Sequence, residues 1–142
     1  MPERKASAIW EGDLKRGKGK MRLGSRAFEG TYSIASRFGQ GEGTNPEELI
    51  GAAHAGCFSM ALAGNLAEKG FTPDFIWTEA RVSLEKSGDG FKINEINLST
   101  EARVQDIGEP EFRQYAEEAK SNCPVSRALK GTKIKLEAVL TK

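Results

Sequence analysis

The side chains in this sequence that could carry chemistry are few: two cysteines, Cys57 and Cys123, and a single histidine, His54. A cysteine reacts as its thiolate, so it needs a lowered pKa or a neighbouring base. His54 lies three residues before Cys57, a spacing that puts both on one face of a helix and permits a Cys–His nucleophile pair. The alternatives are that His54 only packs or makes a polar contact, and that the two cysteines are buried and inert.

The same residues do not make a usual metal or nucleotide site. Two cysteines and one histidine fall short of a zinc set, and neither a CxxC nor an HxxxH spacing occurs. The glycines that precede Thr44 match neither GxGxxG nor GxxxxGK[ST], and they are typical of a loop that leads into a helix. We therefore expect no metal and no cofactor.

Cys123 lies in the segment SNCPVSRAL, directly before Pro124. Proline fits the first turn of a helix, so a short helix is predicted over residues 125–129, with Asn122 or Cys123 as its cap. A thiol at a helix start has its thiolate favoured by the exposed N–H groups and by the helix dipole. Cys57 has no such stabilisation of its thiolate, so it would need a cation close to its sulfur.

Cys57 lies in the middle of the longest helical pattern of the chain, residues 44–70. The signals at the ends of this helix are Asn45 as cap, Pro46 at the first position and Gly70 as the stop. Apolar or small side chains surround most of its circumference, which predicts a helix buried on nearly all sides. Three interior glycines favour close backbone approach by whatever packs against it: Gly51, Gly56 and Gly64.

The rest of the chain predicts strands around this helix. A hairpin is expected at the N-terminus and a third strand over Thr31–Phe38, whose residues alternate apolar and polar. After the helix, an alternating strand, a Ser-Gly-Asp-Gly turn and a return strand with a bulge near Asn94 and Glu95 are predicted. A helix over Glu111–Lys120 and a last strand over Thr132–Leu140 follow. The order βββ-α-ββ-αα-β predicts an α+β fold, with an antiparallel sheet and a long buried central helix.

Composition narrows the function classes. At 142 residues and 38% hydrophobic content, one domain over residues 1–142 is expected. The net charge of +1 gives no electrostatic case for a nucleic-acid or membrane-surface partner. Because glutamates, His54, an asparagine and glycines interrupt the apolar helix, we expect no membrane span, and the N-terminus lacks the apolar core of a signal peptide. A cytoplasmic location is expected, where cysteines are more often catalytic or buried than bridged.

Five stretches of the chain resemble the osmotically inducible protein C (OsmC) branch of the OsmC/Ohr family, in which Ohr denotes organic hydroperoxide resistance. They are NPEELIGAAHAGCFSMAL, GDLKRGKGK, SRF, GFTP and NCPVS, and the resemblance covers essentially the whole chain. It implies a thiol-dependent peroxidase that reduces organic hydroperoxides, and less efficiently hydrogen peroxide, as an intertwined homodimer without metal or haem. It also implies an external dithiol reductant, a lipoyl protein in the better-studied branch.

The resemblance also implies roles for four residues. Cys57 matches the peroxidatic cysteine, Cys123 the resolving cysteine, Arg37 the arginine that activates the thiolate, and Glu47 the glutamate that orients this arginine. Glu48 competes with Glu47 for the last role, and the preceding proline favours Glu47.

The spacing of two of these residues predicts something about assembly. Glu47 and Cys57 are ten positions apart, which on one continuous helix separates them by roughly 15 Å along the axis, more than a glutamate side chain spans. If both serve one site through Arg37, Glu47 is expected from the partner of a dimer. Two other functions stay open at this point: a non-catalytic osmotic-stress protein, and an acyl-transfer enzyme with His54 as base and Cys57 as nucleophile.

Overall fold

The computed structural model describes residues 2–142, which fall into two compact units, one ending at Leu49 and the other running from Ile50 to Lys142. The strands are β1 (Ala6–Glu11), β2 (Lys18–Leu23), β3 (Glu29–Tyr32), β4 (Pro73–Ser87), β5 (Gly90–Val104) and β6 (Lys133–Thr141). The helices are α1 (Ile34–Phe38), α2 (Pro46–Glu68), α3 (Glu109–Asn122) and α4 (Pro124–Ala128). This order is the predicted α+β arrangement, with one helix added. The expectation of a single domain over residues 1–142 stays a prediction.

The first unit is a three-stranded antiparallel sheet in the order β1-β2-β3, followed by α1. The predicted strand over Thr31–Phe38 was wrong beyond Tyr32, where β3 ends, because Ile34–Phe38 is helical. Ser33 and Ser36 form a reciprocal capping box, in which each side chain accepts a hydrogen bond from the backbone N–H of the other. This local pairing starts a helix in a segment whose alternation of apolar and polar residues predicted a strand.

The second unit contains most of α2, the helices α3 and α4, and a sheet in the order β4-β5-β6. Strands β4 and β5 form the long antiparallel hairpin that the sequence predicted. The prediction of an all-antiparallel sheet was wrong, since β6 pairs with β5 in parallel. A parallel neighbour requires a crossover connection, and here α3 and α4 form it.

The predicted bulge lies on β5 at Asn94. Ser83 pairs with Glu95 and Leu84 pairs with Ile93, so Asn94 is the extra residue. The bulge changes the parity of β5, and its apolar side chains then fall on the same face of the sheet as those of the two neighbouring strands. The alternating patterns of the sequence therefore predicted which face of this sheet is buried.

The core of the second unit lies between this face and two helices. Its fully buried side chains from α2 are Phe58, Leu62 and Leu66, and those from α3 include Phe112, Ala116 and Ala119. Burying large apolar side chains like these supplies about 1.5–3 kcal/mol each. Hydroxyl groups join α2 to the sheet as well, because Ser59 Oγ lies 2.7 Å from Thr78 Oγ1. These contacts hold the middle of α2, and Cys57 with it, against β4 and β5.

The two faces of α2 differ in a way that the sequence did not predict. One face is buried, at positions that recur every three or four residues. On the opposite face, Met60 is 77% exposed, and a Cβ placed on Gly56 or Gly64 would meet nothing within 4 Å. The expectation of a helix buried on all sides was therefore wrong for this chain. Of the three glycines, Gly51 does lie close to another element, where a Cβ would come 3.3 Å from Val82.

By length and composition α2 is apolar enough to cross a membrane, and residues 49–67 contain no Asp, Glu, Lys or Arg. The charged residues that the sequence reading took as interruptions lie at the ends of this segment. Core helices of globular proteins meet the same criterion. With Phe58, Leu62 and Leu66 fully buried against the sheet and α3, α2 packs here as a core helix.

Candidate active site

The strongest polar contact of the first unit joins Arg37 to Glu47. Arg37 Nε lies 3.0 Å from one carboxylate oxygen of Glu47, and Nη2 lies 2.8 Å from the other. This is the bidentate geometry for which the planar guanidinium is suited. The hydrogen bond from Arg37 to Glu47, with the charge of Glu47, raises the pKa of Arg37 despite the opposing effect of burial. Glu47 is nearly covered, whereas 38% of the Arg37 side chain remains exposed.

Glu48 does not compete for this contact. Its carboxylate accepts a hydrogen bond from the Thr44 hydroxyl at 2.7 Å. Its backbone N–H is capped by the side chain of Asn45, also at 2.7 Å, as the sequence predicted. The two glutamates of the first turn of α2 thus have separate partners, and the one that binds Arg37 is Glu47.

Ser36 links α1 to the start of α2, and the sequence reading did not single it out. Its hydroxyl donates to the backbone carbonyl of Thr44 at 2.7 Å, and its own carbonyl accepts from the Asn45 side chain at 3.1 Å. Ser36 therefore fixes the loop between the two helices while the neighbouring Arg37 reaches Glu47. The capping box with Ser33, three residues apart, was the signal that would have identified it.

In the second unit, both thiols lie at the start of α4. Cys123 is the N-cap of this helix, and its Sγ accepts a hydrogen bond from the Ser126 backbone N–H at 3.3 Å. The Cys57 sulfur accepts one from the backbone N–H of Val125, and its side chain also hydrogen-bonds with Cys123. Neither cysteine is in a disulfide. Two successive amides of one turn thus hold two thiols that are 66 positions apart in sequence.

These surroundings determine the protonation of Cys57. Burial raises the pKa of the Cys57 thiol, and the neighbouring Cys123 raises it further, while the hydrogen bond from Val125 lowers it. Cys57 is only partly covered, whereas Cys123 is 1% exposed. Cys57 is therefore the more accessible thiol, and the groups around it in this unit favour its protonated form.

His54 is fully buried, and its partner is Ser126. The Nε2 atom lies 2.7 Å from Ser126 Oγ, across 72 positions of sequence. Burial lowers the pKa of His54, so the ring is neutral at pH 7. Among the described residues, no hydrogen bond joins His54 to Cys57, so the Cys–His pair that the sequence permitted is not formed. Ser126, which lies within NCPVS, was not singled out as a candidate.

The chain was compared with known proteins. Residues 39–137 match the family model described as OsmC-like protein. Peroxiredoxin OsmC of Escherichia coli K12 is 50% identical over 128 residues, which cover 89% of this chain and 90% of the relative. The organic hydroperoxide resistance protein OhrB of Bacillus subtilis is 35% identical and covers 78% of this chain and 79% of its own length.

A solved structure shares the fold. It is an OsmC-like protein of unknown function from Vibrio cholerae, 14% identical, which aligns with a TM-score of 0.78 over 98% of this chain and 100% of its own. The fold order, the paired thiols and the extent of these matches lead to one assignment: the chain belongs to the OsmC-like protein family.

Proposed function

We propose that this protein is a cysteine-based peroxidase that reduces organic hydroperoxides, and hydrogen peroxide more weakly, in defence against oxidative or osmotic stress. The observation that carries the proposal is the contact between two unbridged thiols, one accessible and one buried, at the start of α4. A 50% identical relative named peroxiredoxin supports it, as does a 35% identical relative named for organic hydroperoxide resistance.

In the first step, the Cys57 thiolate attacks one oxygen of the hydroperoxide. The O–O bond breaks, the alcohol leaves with a proton, and Cys57 becomes a sulfenic acid. In the second step Cys123 attacks the Cys57 sulfur, the S–O bond breaks, and a disulfide and water form. An external dithiol, such as that of a lipoyl protein, then reduces the disulfide and restores both thiols.

The first step needs a thiolate, yet burial and Cys123 raise the pKa of Cys57. A guanidinium within about 4–6 Å would lower this pKa, because it favours the charged form of the sulfur. Arg37 is the proposed cation. While two of its nitrogens bind Glu47, further N–H donors of the same plane stay available for the peroxide oxygens.

The protein is proposed to act as an intertwined homodimer with composite sites. Since α2 runs without a break from Pro46 to Glu68, Glu47 and Cys57 are separated along it by roughly 15 Å. Arg37 and Glu47 are therefore assigned to the site that contains the partner's cysteine. The exposed apolar face of α2, with Gly56, Met60 and Gly64, offers a surface on which a second copy would pack closely.

The acyl-transfer alternative has lost its geometric basis, because the Nε2 atom of His54 is bonded to Ser126 and no hydrogen bond to Cys57 exists among the described residues. A non-catalytic role would leave the paired thiols unused. A cytoplasmic location is part of the proposal, since a reducing compartment keeps the resting thiols reduced.

The function is tested by stopped-flow oxidation of the reduced protein with cumene hydroperoxide and, in parallel, with hydrogen peroxide. Loss of free thiol and release of the alcohol are followed together. Rapid loss of two thiols per chain, faster with the organic peroxide, is the expected result. Oxidation no faster than that of a free cysteine at the same pH would contradict the proposal.

The composite site is tested by mixing Cys57→Ser chains with Glu47→Ala chains under conditions that allow subunit exchange. Each mixed dimer would have one intact site and one doubly damaged site, so activity should reappear on mixing. Exchange is verified independently with a tagged chain. Continued inactivity despite proven exchange would assign Glu47 and Cys57 to the same subunit's site.

A further inference from the structure

His54 and Ser126 form a buried polar pair beside the thiols, and the peroxidase steps above do not use it. Ser126 Oγ lies 2.7 Å from His54 Nε2 and accepts a hydrogen bond from Cys123 Sγ at 3.2 Å. Ser126 is 4% exposed, and His54 and Cys123 are buried as well. A continuous hydrogen-bonded row therefore runs from the imidazole to the thiol.

The direction of the protons along this row follows from its contacts. Since the Ser126 oxygen already accepts from the Cys123 thiol, its own O–H is free to donate to His54 Nε2. If His54 Nε2 were the donor instead, Ser126 Oγ would accept from both His54 and Cys123. The hydroxyl proton of Ser126 would then have no acceptor within the row. With Nε2 as acceptor, the ring proton lies on Nδ1, which has no hydrogen-bond partner among the described residues.

We propose that this row is a proton relay for the resolving thiol, in which Ser126 passes the proton of Cys123 to His54 while the disulfide forms. Ser126 touches the reacting sulfur and is a catalytic residue in this sense. His54 acts through Ser126, as a positioning residue and as the proton acceptor. The proposal rests on the resolving role given to Cys123 above.

During disulfide closure one proton travels along the row and one S–O bond breaks. The S–H bond of Cys123 breaks, its proton moves to Ser126 Oγ, and the hydroxyl proton of Ser126 moves to His54 Nε2. The electron pair left on Cys123 Sγ attacks the sulfenic sulfur of Cys57, and the S–O bond breaks. Hydroxide leaves and recovers the proton from His54, so the products are one disulfide and one water. Cys57 gains one electron in the formal count and Cys123 loses one.

The surroundings of the row keep His54 neutral before and after the step. Burial lowers the pKa of His54, which keeps the ring neutral and ready to accept before the step. The titratable side chain bonded to Ser126 is Cys123, which in turn contacts Cys57. A cavity of about 630 Å³ reaches Ser126 and is lined by the cations Lys120, Arg127 and Lys130. Burial of His54 opposes a lasting imidazolium and so promotes return of the proton to the leaving hydroxide.

The relay predicts how disulfide closure depends on pH. Cys57 is first converted to its mixed disulfide with thionitrobenzoate, and release of the coloured thionitrobenzoate then reports attack by Cys123. In the wild-type protein, closure should change little with pH near neutrality. His54→Gln keeps a polar group near the position of Nε2 but removes the base. It should slow closure at pH 7 by about 100-fold and make it rise by about tenfold per pH unit, as solvent hydroxide takes over.

Variants of Ser126 provide the matched pair. Ser126→Ala breaks the row and should reproduce the steep pH dependence, whereas Ser126→Thr keeps the hydroxyl and should restore most of the rate and the flat profile. Thr100→Val removes another buried hydroxyl, one bonded to Thr78 and to the Trp77 carbonyl, and serves as the control for general loosening of the unit. If His54→Gln does not fold by circular dichroism, the two Ser126 variants decide.

Two results would overturn the relay. One is closure in Ser126→Ala at the wild-type rate. The other is closure that is slowed by the same factor at every pH, which would mean that the pair only positions Cys123. Because the mixed disulfide needs no peroxide, the relay is tested even if the wild-type protein fails to reduce hydroperoxides. In that case the proposed function fails on peroxide consumption and the relay is judged on closure alone.

Discussion

The Arg37–Glu47 pair and the thiol cluster of Cys57 and Cys123 are opposite kinds of environment. The first is a charged, bidentate contact with more than a third of the arginine side chain open to solvent. The second is uncharged, largely buried and held by backbone amides and thiols. The charged pair offers a cation but no thiol, and among the described residues the hydrogen-bond partners of the two cysteines are uncharged.

Each region supplies a property that the other lacks. Burial would protect the proposed sulfenic acid of Cys57 from solvent, but the same burial raises the pKa of Cys57. A salt bridge between a guanidinium and a carboxylate keeps the cation oriented while leaving donors free. The proposed composite site combines the two environments, and each of them can be damaged separately by mutation.

The largest expected effect comes from the thiol cluster. Cys57→Ser should abolish peroxide reduction, because no nucleophile remains. Cys123→Ser should consume a single equivalent of peroxide and then stop as a sulfenic acid, which a dimedone probe would trap and mass spectrometry would detect. Full turnover by Cys57→Ser with a dithiol would contradict the assignment of Cys57 as the peroxidatic cysteine.

The next largest effect should come from the charged region. Arg37→Lys retains a positive charge but loses the planar fork, and we expect the rate of Cys57 oxidation to fall by about 100-fold. Because the reactive form is the thiolate and a displaced cation leaves the Cys57 pKa higher, the rate profile should shift toward higher pH. The measurement is the second-order rate constant with cumene hydroperoxide across a pH series. An unchanged rate and midpoint would remove Arg37 from the activation of Cys57.

The smallest of the three effects distinguishes the two glutamates. Glu47→Gln removes one charged acceptor of the Arg37 fork and should slow oxidation by about tenfold, in line with the roughly 1.5–3 kcal/mol of a hydrogen bond to a charged group. Glu48→Gln is the matched control, since its side chain still accepts from the Thr44 hydroxyl and does not touch Arg37. Equal losses in both variants would point to a general effect of the first turn of α2.

Sequence patterns predicted the elements whose signals are local. The cap by Asn45, the stop at Gly70 and the bulge at Asn94 each depend on a few neighbouring residues, and the structure has all three. The predicted strand Thr31–Phe38 failed beyond Tyr32 because the Ser33–Ser36 capping box outweighs the alternation of a segment only a few residues long.

Features that depend on contacts between distant parts of the sequence could not be predicted from local patterns. The parallel pairing of β6 follows from how the crossover returns to the sheet, which no local pattern encodes. The contact of His54 with Ser126 spans 72 positions and exists only because that crossover brings α4 back to α2. The resemblance to a family implied roles for Arg37, Glu47, Cys57 and Cys123, but none for two serines. Ser36 fixes the loop before α2, and Ser126 bonds to Cys123 and His54.

The parallel placement of β6 also has a consequence for the order in which parts of the molecule fold. Cys123 belongs to the crossover, and the crossover is anchored only when Lys133–Thr141, the last strand of the chain, pairs with β5. Pairings between segments so far apart form late, since the intervening loop must first lose its conformational freedom. Until β6 pairs with β5, Cys123 is therefore not held beside Cys57. The contact between the two thiols is thus among the last features of this unit to form.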